Sequence, residues 1–516
     1  MKTILSKYTS LILLTLAFSG CSDLTEKPYT FVSPQSFYRN AEDLNKALTG
    51  VYASYQNHYG RGSINYFMIL ESMSELGAPA RTKDNPHLYN VWADVNNAST
   101  SISKWRGSYE IINAANVVLG RGKDIEMDEA LKNRMFAEAR FIRGLTYFNL
   151  VRLYGGAAIP ETFTEGLEGL EIPRKTSEET FNYLLEDLKY AADNLPEKSA
   201  LGSELWRASK GAALSFLGKA YLYRATLTNT PAFFEESRKY SEMVMNSKEY
   251  NLEPEFKNLW YWWNVKAKNG QESIFEIQFG NKNGEDNQLH INGGINITDA
   301  SLGSYMFHRH GPSFTAYNSF SALDARKAAT FLTEVKLVNG STITWLESDQ
   351  GNYPGAKGWP SAGPGNLKYF DRSGESASLG LPGANVYAMR YAEVLLNYAE
   401  AVNELSGPTP AALEALNKVR TRAKLPALTG LSKAQFSEAV YKERCWEFIG
   451  EGQVYYDGIR TNRIGKAVQE EIAYGVKNKT FLYTDLLYTP TSKFLWKIPV
   501  FDLDSNPALV QNPDNQ

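Results

Sequence analysis

Cysteine is scarce in this chain: Cys21 and Cys445 are the only two among 516 residues. A fold stapled by several disulfides is therefore excluded, and stability must come from burial. A long hydrophobic run is also missing. The apolar stretch Leu11 to Phe18 is too short to cross a bilayer as a permanent helix. No sign of charge dominates, since 54 basic residues face 57 acidic ones for a net charge of −3. That balance argues against a nucleic acid held on a basic surface.

The chain is instead rich in aromatics and in helical pattern. It holds 31 Tyr and 10 Trp. A core does not easily absorb that many Tyr, so some belong at surfaces where a flat face and a hydroxyl serve binding. The length accommodates a large core. Arg134 to Tyr154 predicts one long helix: Phe141, Ile142, Leu145, Phe148 and Leu153 recur at three- and four-residue steps. Its apolar arc is too wide for one neighbour and predicts burial on two sides. Ala137, Ala139 and Gly144 would let other helices come close, and Gly155-Gly156 stops the helix.

Further helices are predicted over Ala41–Gln56 and Ser101–Leu119. Helix pairs follow. Ser177–Leu195, with Ser177 read as N-cap, answers the long helix. Arg207–Ala225 pairs with Phe233–Asn246, and Tyr391–Leu405 with Ala411–Lys424. Leu217-Gly218-Lys219-Ala220-Tyr221 carries part of the tetratricopeptide pattern. The expected fold class is mainly α: a tetratricopeptide-like helical-repeat scaffold with an irregular insertion of loops and short strands.

That insertion, residues 251–386, opens on Trp260-Tyr261-Trp262-Trp263. Ser273–Phe279 alternates as a strand, and Asn339-Gly340 predicts a hairpin between Val335–Val338 and Ser341–Leu346. Around it lie residues 21–250 and 387–516, read as N-terminal and C-terminal regions. Residues 1–20 read as a signal peptide, from Lys2 and Lys7 through the apolar run to Phe18-Ser19-Gly20-Cys21. The small residues before Cys21 resemble a bacterial lipobox, in which that cysteine is lipidated. Lipid chains would anchor the protein stably, since each buried methylene is worth about 0.8 kcal/mol and a single chain is marginal. Cys445, the remaining thiol, lies in a helical run and reads as a buried structural residue.

The order and spacing of several stretches then resemble the SusD/RagB family of Bacteroidota. They are Trp105-x3-Tyr109-x2-Ile112-x3-Asn116, Arg140-x6-Tyr147-x6-Tyr154-Gly155, Glu272-Ser273-Ile274-Phe275, Asp324-x-Arg326 and Arg390–Leu396 with Tyr398-Ala399-Glu400-Ala401. Asn417-x2-Arg420-x-Arg422-Ala423, Glu443-Arg444-x2-Glu447, Ile498-Pro499 and Gln511-Asn512-Pro513 complete the set. Val454 and Thr461 stand where the family often has Arg and Trp. The resemblance implies a non-enzymatic, lipid-anchored nutrient-binding protein of the outer membrane, facing outward. Its implied partner is a SusC-like, TonB-dependent transporter, over which it traps a ligand, usually an oligosaccharide. No cofactor or metal is implied.

A sugar ring offers C–H bonds on a face and hydroxyls at its edge; Trp or Tyr matches the first, and Asn, Asp or Arg the second. Arg81, Tyr89, Asn90, Trp92, Asn96 and Asn97 supply that mixture in one irregular stretch. Trp262 and Trp263 follow, then Trp345, Tyr353 and Trp359 in the insertion. Each aromatic has a plainer reading as core. His308-x-His310 lacks a Cys or carboxylate at ligand spacing and reads as polar loop. Glu393 and Glu400 have the look of a glycosidase pair, yet read better as structural ion-pair partners of Arg390, Arg420 and Arg422. Asp324 and Arg326 read likewise. Gly351–Gly365 lacks the Lys-Ser/Thr ending of a phosphate loop. A repeat scaffold binding only protein or peptide, and an endo-acting glycosidase, are the competing functions.

Overall fold

The computed structural model describes residues 37–59, 70, 71, 74, 76–79, 99–166, 168–260, 268–280, 282, 285–287, 289, 310–336, 342–344, 364–369, 383–466, 469, 470, 473 and 495–512. Helices dominate it. The described α-helices of six or more residues are, in chain order, α1 (Ala41–Tyr59), α2 (Ser99–Arg121), α3 (Glu129–Tyr154), α4 (Ser177–Asn194), α5 (Lys210–Thr228), α6 (Pro231–Ser247), α7 (Phe314–Ser319), α8 (Tyr391–Ser406), α9 (Pro410–Arg422), α10 (Lys433–Phe448), α11 (Val454–Arg460) and α12 (Val500–Ser505). The described strands are short and pair only in antiparallel twos: β1 (Gly77–Pro79) with β3 (His310–Pro312), β2 (Ser273–Ile277) with β8 (Val386–Arg390), β4 (Phe331–Leu332) with β7 (Gly365–Asn366), and β5 (Glu334–Lys336) with β6 (Thr342–Thr344).

Helix α3 is the centre of the molecule. The predicted stretch is helical, and its burial is nearly continuous from Ala137 to Tyr154. It is closed in by α1, α2, α4 and α5, more sides than the apolar arc alone predicts. Its start is capped by Asp128, whose carboxylate accepts the Leu131 N–H at 2.8 Å. At its end Gly155 takes φ +78°, and a Cβ on Gly156 would lie 1.8 Å from the Lys175 carbonyl oxygen. Only glycine lets the chain turn there toward α4. Polar groups on this buried helix are paired. Arg143 grips Asp187 of α4 with two bonds of 2.7 and 2.8 Å, and Glu138 meets Arg207 at 3.0 Å.

The pairs α3/α4, α5/α6 and α8/α9 stack in succession, α4 on α5 and α6 on α8. This is the tetratricopeptide-like array. Gly218 of the Leu-Gly-x-x-Tyr motif shows why the motif needs glycine: a Cβ there would meet Ser241 Oγ of α6 at 2.9 Å. Tyr221, one turn on, stacks on Tyr240 with rings 5.7 Å apart. One predicted cap shifts. Thr176, not Ser177, caps α4, and Glu179 at the third helical position returns the bond to the Thr176 N–H, a full capping box. Placing the cap one residue late hid the glutamate that completes it.

The C-terminal segment closes on the same helix. The Trp496 N–H donates to the Leu153 carbonyl at 2.6 Å. Gln511 accepts from the Ile498 N–H and donates to its carbonyl, both at 2.9 Å. The Ile498-Pro499 and Gln511-Asn512 motifs thus form one clasp.

Candidate functional site

The irregular stretch after α1 and the insertion meet in the β1–β3 ladder. Its register is Gly77 opposite Pro312, Ala78 opposite Gly311 and Pro79 opposite His310. The Ser313 N–H adds a further rung to the Leu76 carbonyl at 2.8 Å. Pro79 and Pro312 have no N–H to give, which keeps the ladder short. Ser313 then caps α7, accepting the Ala316 N–H at 3.1 Å. Residues 80–98 continue directly from Pro79, and the insertion arrives at His310. The ladder therefore ties together the two blocks that the sequence singles out for ligand binding.

A carboxylate clamp precedes it in the chain. Glu71 accepts the Gly452 N–H at 2.6 Å. Gly450 and Gly452 take φ of +82° and +69°, so the turn aims backbone N–H groups at the carboxylate. Burial pushes the Glu71 carboxyl up to about 7; the Gly450 and Gly452 N–H groups and Lys368 oppose that rise, and Glu451 adds to it. Lys368 is pushed down to about 8 by burial. It donates to Glu451 at 2.7 Å and to the Glu447 carbonyl at 2.8 Å.

Lys368 is one edge of a buried ionic network. Arg390 bonds Glu272 at 2.7 Å, Glu447 at 2.9 Å and Glu451 at 2.8 Å. Arg422 reaches Glu272 at 3.0 Å and Glu447 at 2.5 Å. Arg326 bonds Asp324, Glu443 and Glu447 at 2.7 to 3.0 Å, and Arg420 bonds Glu443 at 2.8 Å. The cations Arg326, Lys368, Arg390, Arg420 and Arg422 thus face Glu272, Asp324, Glu443, Glu447 and Glu451, five against five. Buried charges persist only when paired this completely. Burial by itself would raise the Glu447 pKa; Arg422, Arg390 and Arg326 outweigh it and hold the carboxyl well below the usual carboxylate range.

Glu393 and Glu400 are structural too, but with other partners than expected. Glu393 meets Lys219 at 2.8 Å and Arg444 at 3.3 Å. Glu400 is clamped by Arg460, which also bonds Asp457 at 2.8 Å. Arg390, Arg420 and Arg422 are already taken by the first network. The error arose because helical spacing tells which residues share a face, not which neighbouring helix supplies the counter-charge. Asp324 and Arg326 pair as read, at 2.8 Å.

Arg81, Tyr89, Asn90, Trp92, Asn96, Asn97, Trp262, Trp263, Trp345, Tyr353 and Trp359 lie outside the described residues, as do Cys21 and His308. Trp260 is core, 2% exposed and edge-on to Tyr369 and Tyr387. Cys445 is buried. The two strands of the predicted hairpin pair, with Val335 opposite Ile343, and its Asn339-Gly340 turn lies outside the described residues. Among the described residues no group of three or more His, Cys, Asp and Glu is placed to hold a metal. The Glu71 clamp had no signal in the sequence, since a lone glutamate in an irregular stretch looks like surface.

Comparison with known proteins gives the scaffold its lineage. A family model described as "SusD family" matches residues 271–514, and one described as "Starch-binding associating with outer membrane" matches residues 24–222. The chain belongs to the SusD family. A SusD-like protein of Formosa agariphila is 27% identical over 487 residues, covering 89% of this chain and 90% of its own. One of Bacteroides ovatus is 27% identical, covering 88% and 82%. Among solved structures, a SusD homolog from Bacteroides thetaiotaomicron superposes with a TM-score of 0.81 at 23% identity, over 93% of this chain and 98% of its own. A laminarin-binding SusD-like protein gives 0.73 at 24% identity, over 92% and 100%. These structures establish the shared fold. The family motifs now have physical roles: Arg390, Glu443 and Glu447 build the ionic network, and Tyr154, edge-on to Trp496, joins Gln511 in the C-terminal closure.

Proposed function

We propose that this SusD-family protein is a glycan-binding lipoprotein of the outer membrane that performs no catalysis. Cys21 carries the lipid anchor, and the protein faces the cell exterior. Residues 80–98 and 260–360 hold the oligosaccharide, which the protein delivers to a SusC-like, TonB-dependent transporter. The regions 21–250 and 387–516 serve as frame and 251–386 as the specificity-bearing insertion. The observation that carries this reading is the β1–β3 ladder, which ties both aromatic-rich blocks to a rigid, charge-paired base. Loops on a rigid frame are where specificity resides. The family membership and a laminarin-binding relative of the same fold agree with a glycan ligand. Binding per sugar is expected to be weak, since a shallow wet site must offset the freedom lost on association.

Affinity electrophoresis of the purified mature protein, through gels loaded with plant, host and microbial polysaccharides, tests this. Retardation in one gel that is lost with Trp92→Ala, or with Trp262→Ala and Trp263→Ala together, is the expected result. No retardation in any gel would refute polysaccharide binding.

A further inference from the structure

A cleft of about 560 Å³ opens at the Gly77–Pro312 end of the ladder, where Leu76 and Thr315 contribute to its wall. Its size falls within the roughly 300–1,000 Å³ usual for ligand sites. Most of one wall is a single face of α10, from Glu438 through Tyr441 to Trp446. The Trp446 indole N–H donates to Ser319 Oγ of α7 at 3.1 Å, and its ring packs on Phe320 with centroids 6.4 Å apart. Arg463 packs against the same helix. Its guanidinium lies 4.7 Å from the Tyr441 ring centroid and donates to Ser437 Oγ at 3.2 Å, while its backbone N–H reaches the Gly458 carbonyl at 2.8 Å. Asn462, at φ +54°, sets the turn that presents it.

The charges here nearly balance, Lys442, Arg463 and Lys466 against Glu438 and Glu470, without being used up. Glu438 lies 3.6 Å from both Lys442 and Arg463, and Lys466 lies 3.6 Å from Glu470. At that separation the charges offset one another, yet no direct hydrogen bond is made. Donors and acceptors remain available beside an aromatic plane that is already fixed in place. An anionic ligand would need more than the single surplus cation of this lining. A bound peptide would use a free strand edge or a continuous apolar groove, whereas Glu438, Lys442, Arg463 and Lys466 interrupt the apolar surface of these walls. An uncharged polyhydroxylated ring fits: its C–H face on Trp446, its hydroxyls bridged by Arg463, Asn462 and Glu438.

We propose that this cleft is a second saccharide site, built by α7, α10, Asn462, Arg463, Lys466 and Glu470, which takes an uncharged pyranose unit of the glycan. This rests on the glycan-binding reading above. The test uses the mature protein in the gel that retards it. Trp446→Ala is expected to weaken retention roughly tenfold, the loss of one well-packed contact. Trp446→Phe, which keeps a flat ring, is expected to retain most of the affinity. A thermal melt of each variant separates lost binding from lost folding. Cys445 lines the same cleft and supplies an independent reading: the retarding glycan, at saturation, should slow its alkylation by iodoacetamide. Unchanged retention of a folded Trp446→Ala variant, or alkylation indifferent to glycan, overturns the second site and leaves the first intact. If the wild type is retarded in no gel, both fall together.

Discussion

Glu447 accepts bonds from Arg326, Arg390 and Arg422 at once. Neutralising it strands three buried cations around one lost charge. Glu447→Gln is therefore expected to cost about 3–5 kcal/mol, measured by chemical denaturation at pH 7. Its pKa is depressed in the folded protein, so its stabilisation is present above the ordinary carboxylate range and lost as pH falls below it. The variant should show a flatter acid limb. Glu71 has the opposite sign. Its carboxyl is raised from 4.5 to about 7, so the folded state holds the proton more tightly than the unfolded chain. Stability tied to it declines as pH rises from 4.5 through 7, and the full penalty stands above that. Glu71→Gln keeps an oxygen for the Gly452 N–H and removes the charge. It should erase this decline and gain about 1–2 kcal/mol at pH 8, less than the full shift implies because the residue is half-buried. The residue types of both networks were legible in the sequence as Arg and Glu at motif positions. Their pairing was not, because it is decided by which helices abut.

At the scale of elements, periodicity located the long helices, and the structure moved mainly their ends. It could not find α11, which is only seven residues long and has Gly458 inside it. The strand β2 was legible by alternation, yet all five of its residues are buried. Both its faces are covered, with α1 and α5 among the elements against it, so alternation here does not mean one wet face. Glycines gave the firmest element-level reading. Gly156 sits where α3 must turn into the lead of α4 against the Lys175 carbonyl, a backbone atom that cannot swing aside. Gly156→Ala is expected to destabilise by about 3 kcal/mol, the upper end for an overpacked site. Gly166→Ala meets nothing within 4 Å and should stay within about 0.5 kcal/mol. Urea midpoints of the two variants, at equal slope, check the contrast.

On the scale of the whole molecule, stability and binding rest on different parts. The helix pairs and ionic networks hold the frame, while the short β1–β3 ladder joins residues 77–79 to residues 310–312, at the ends of the irregular blocks. The ligand residues chosen from sequence fall in those blocks, where aromatic content was visible but the plane each ring presents was not. The ladder allows the two roles to be separated at one position. Ser313 has φ −73°, which proline adopts without strain. Ser313→Pro therefore replaces the N–H of the rung with a ring carbon that pushes the Leu76 carbonyl away, and it also removes the side-chain cap of α7. Ser313→Ala removes the cap and keeps the rung. Both should cost about 1 kcal/mol of stability through the lost cap. If the ladder positions the ligand loops, Ser313→Pro alone should lose at least about tenfold in glycan affinity, with its melting temperature within a few degrees of the alanine variant. Equal affinity of the two variants would show that the blocks hold their binding geometry without this rung, and that the ladder only ties the insertion to the frame.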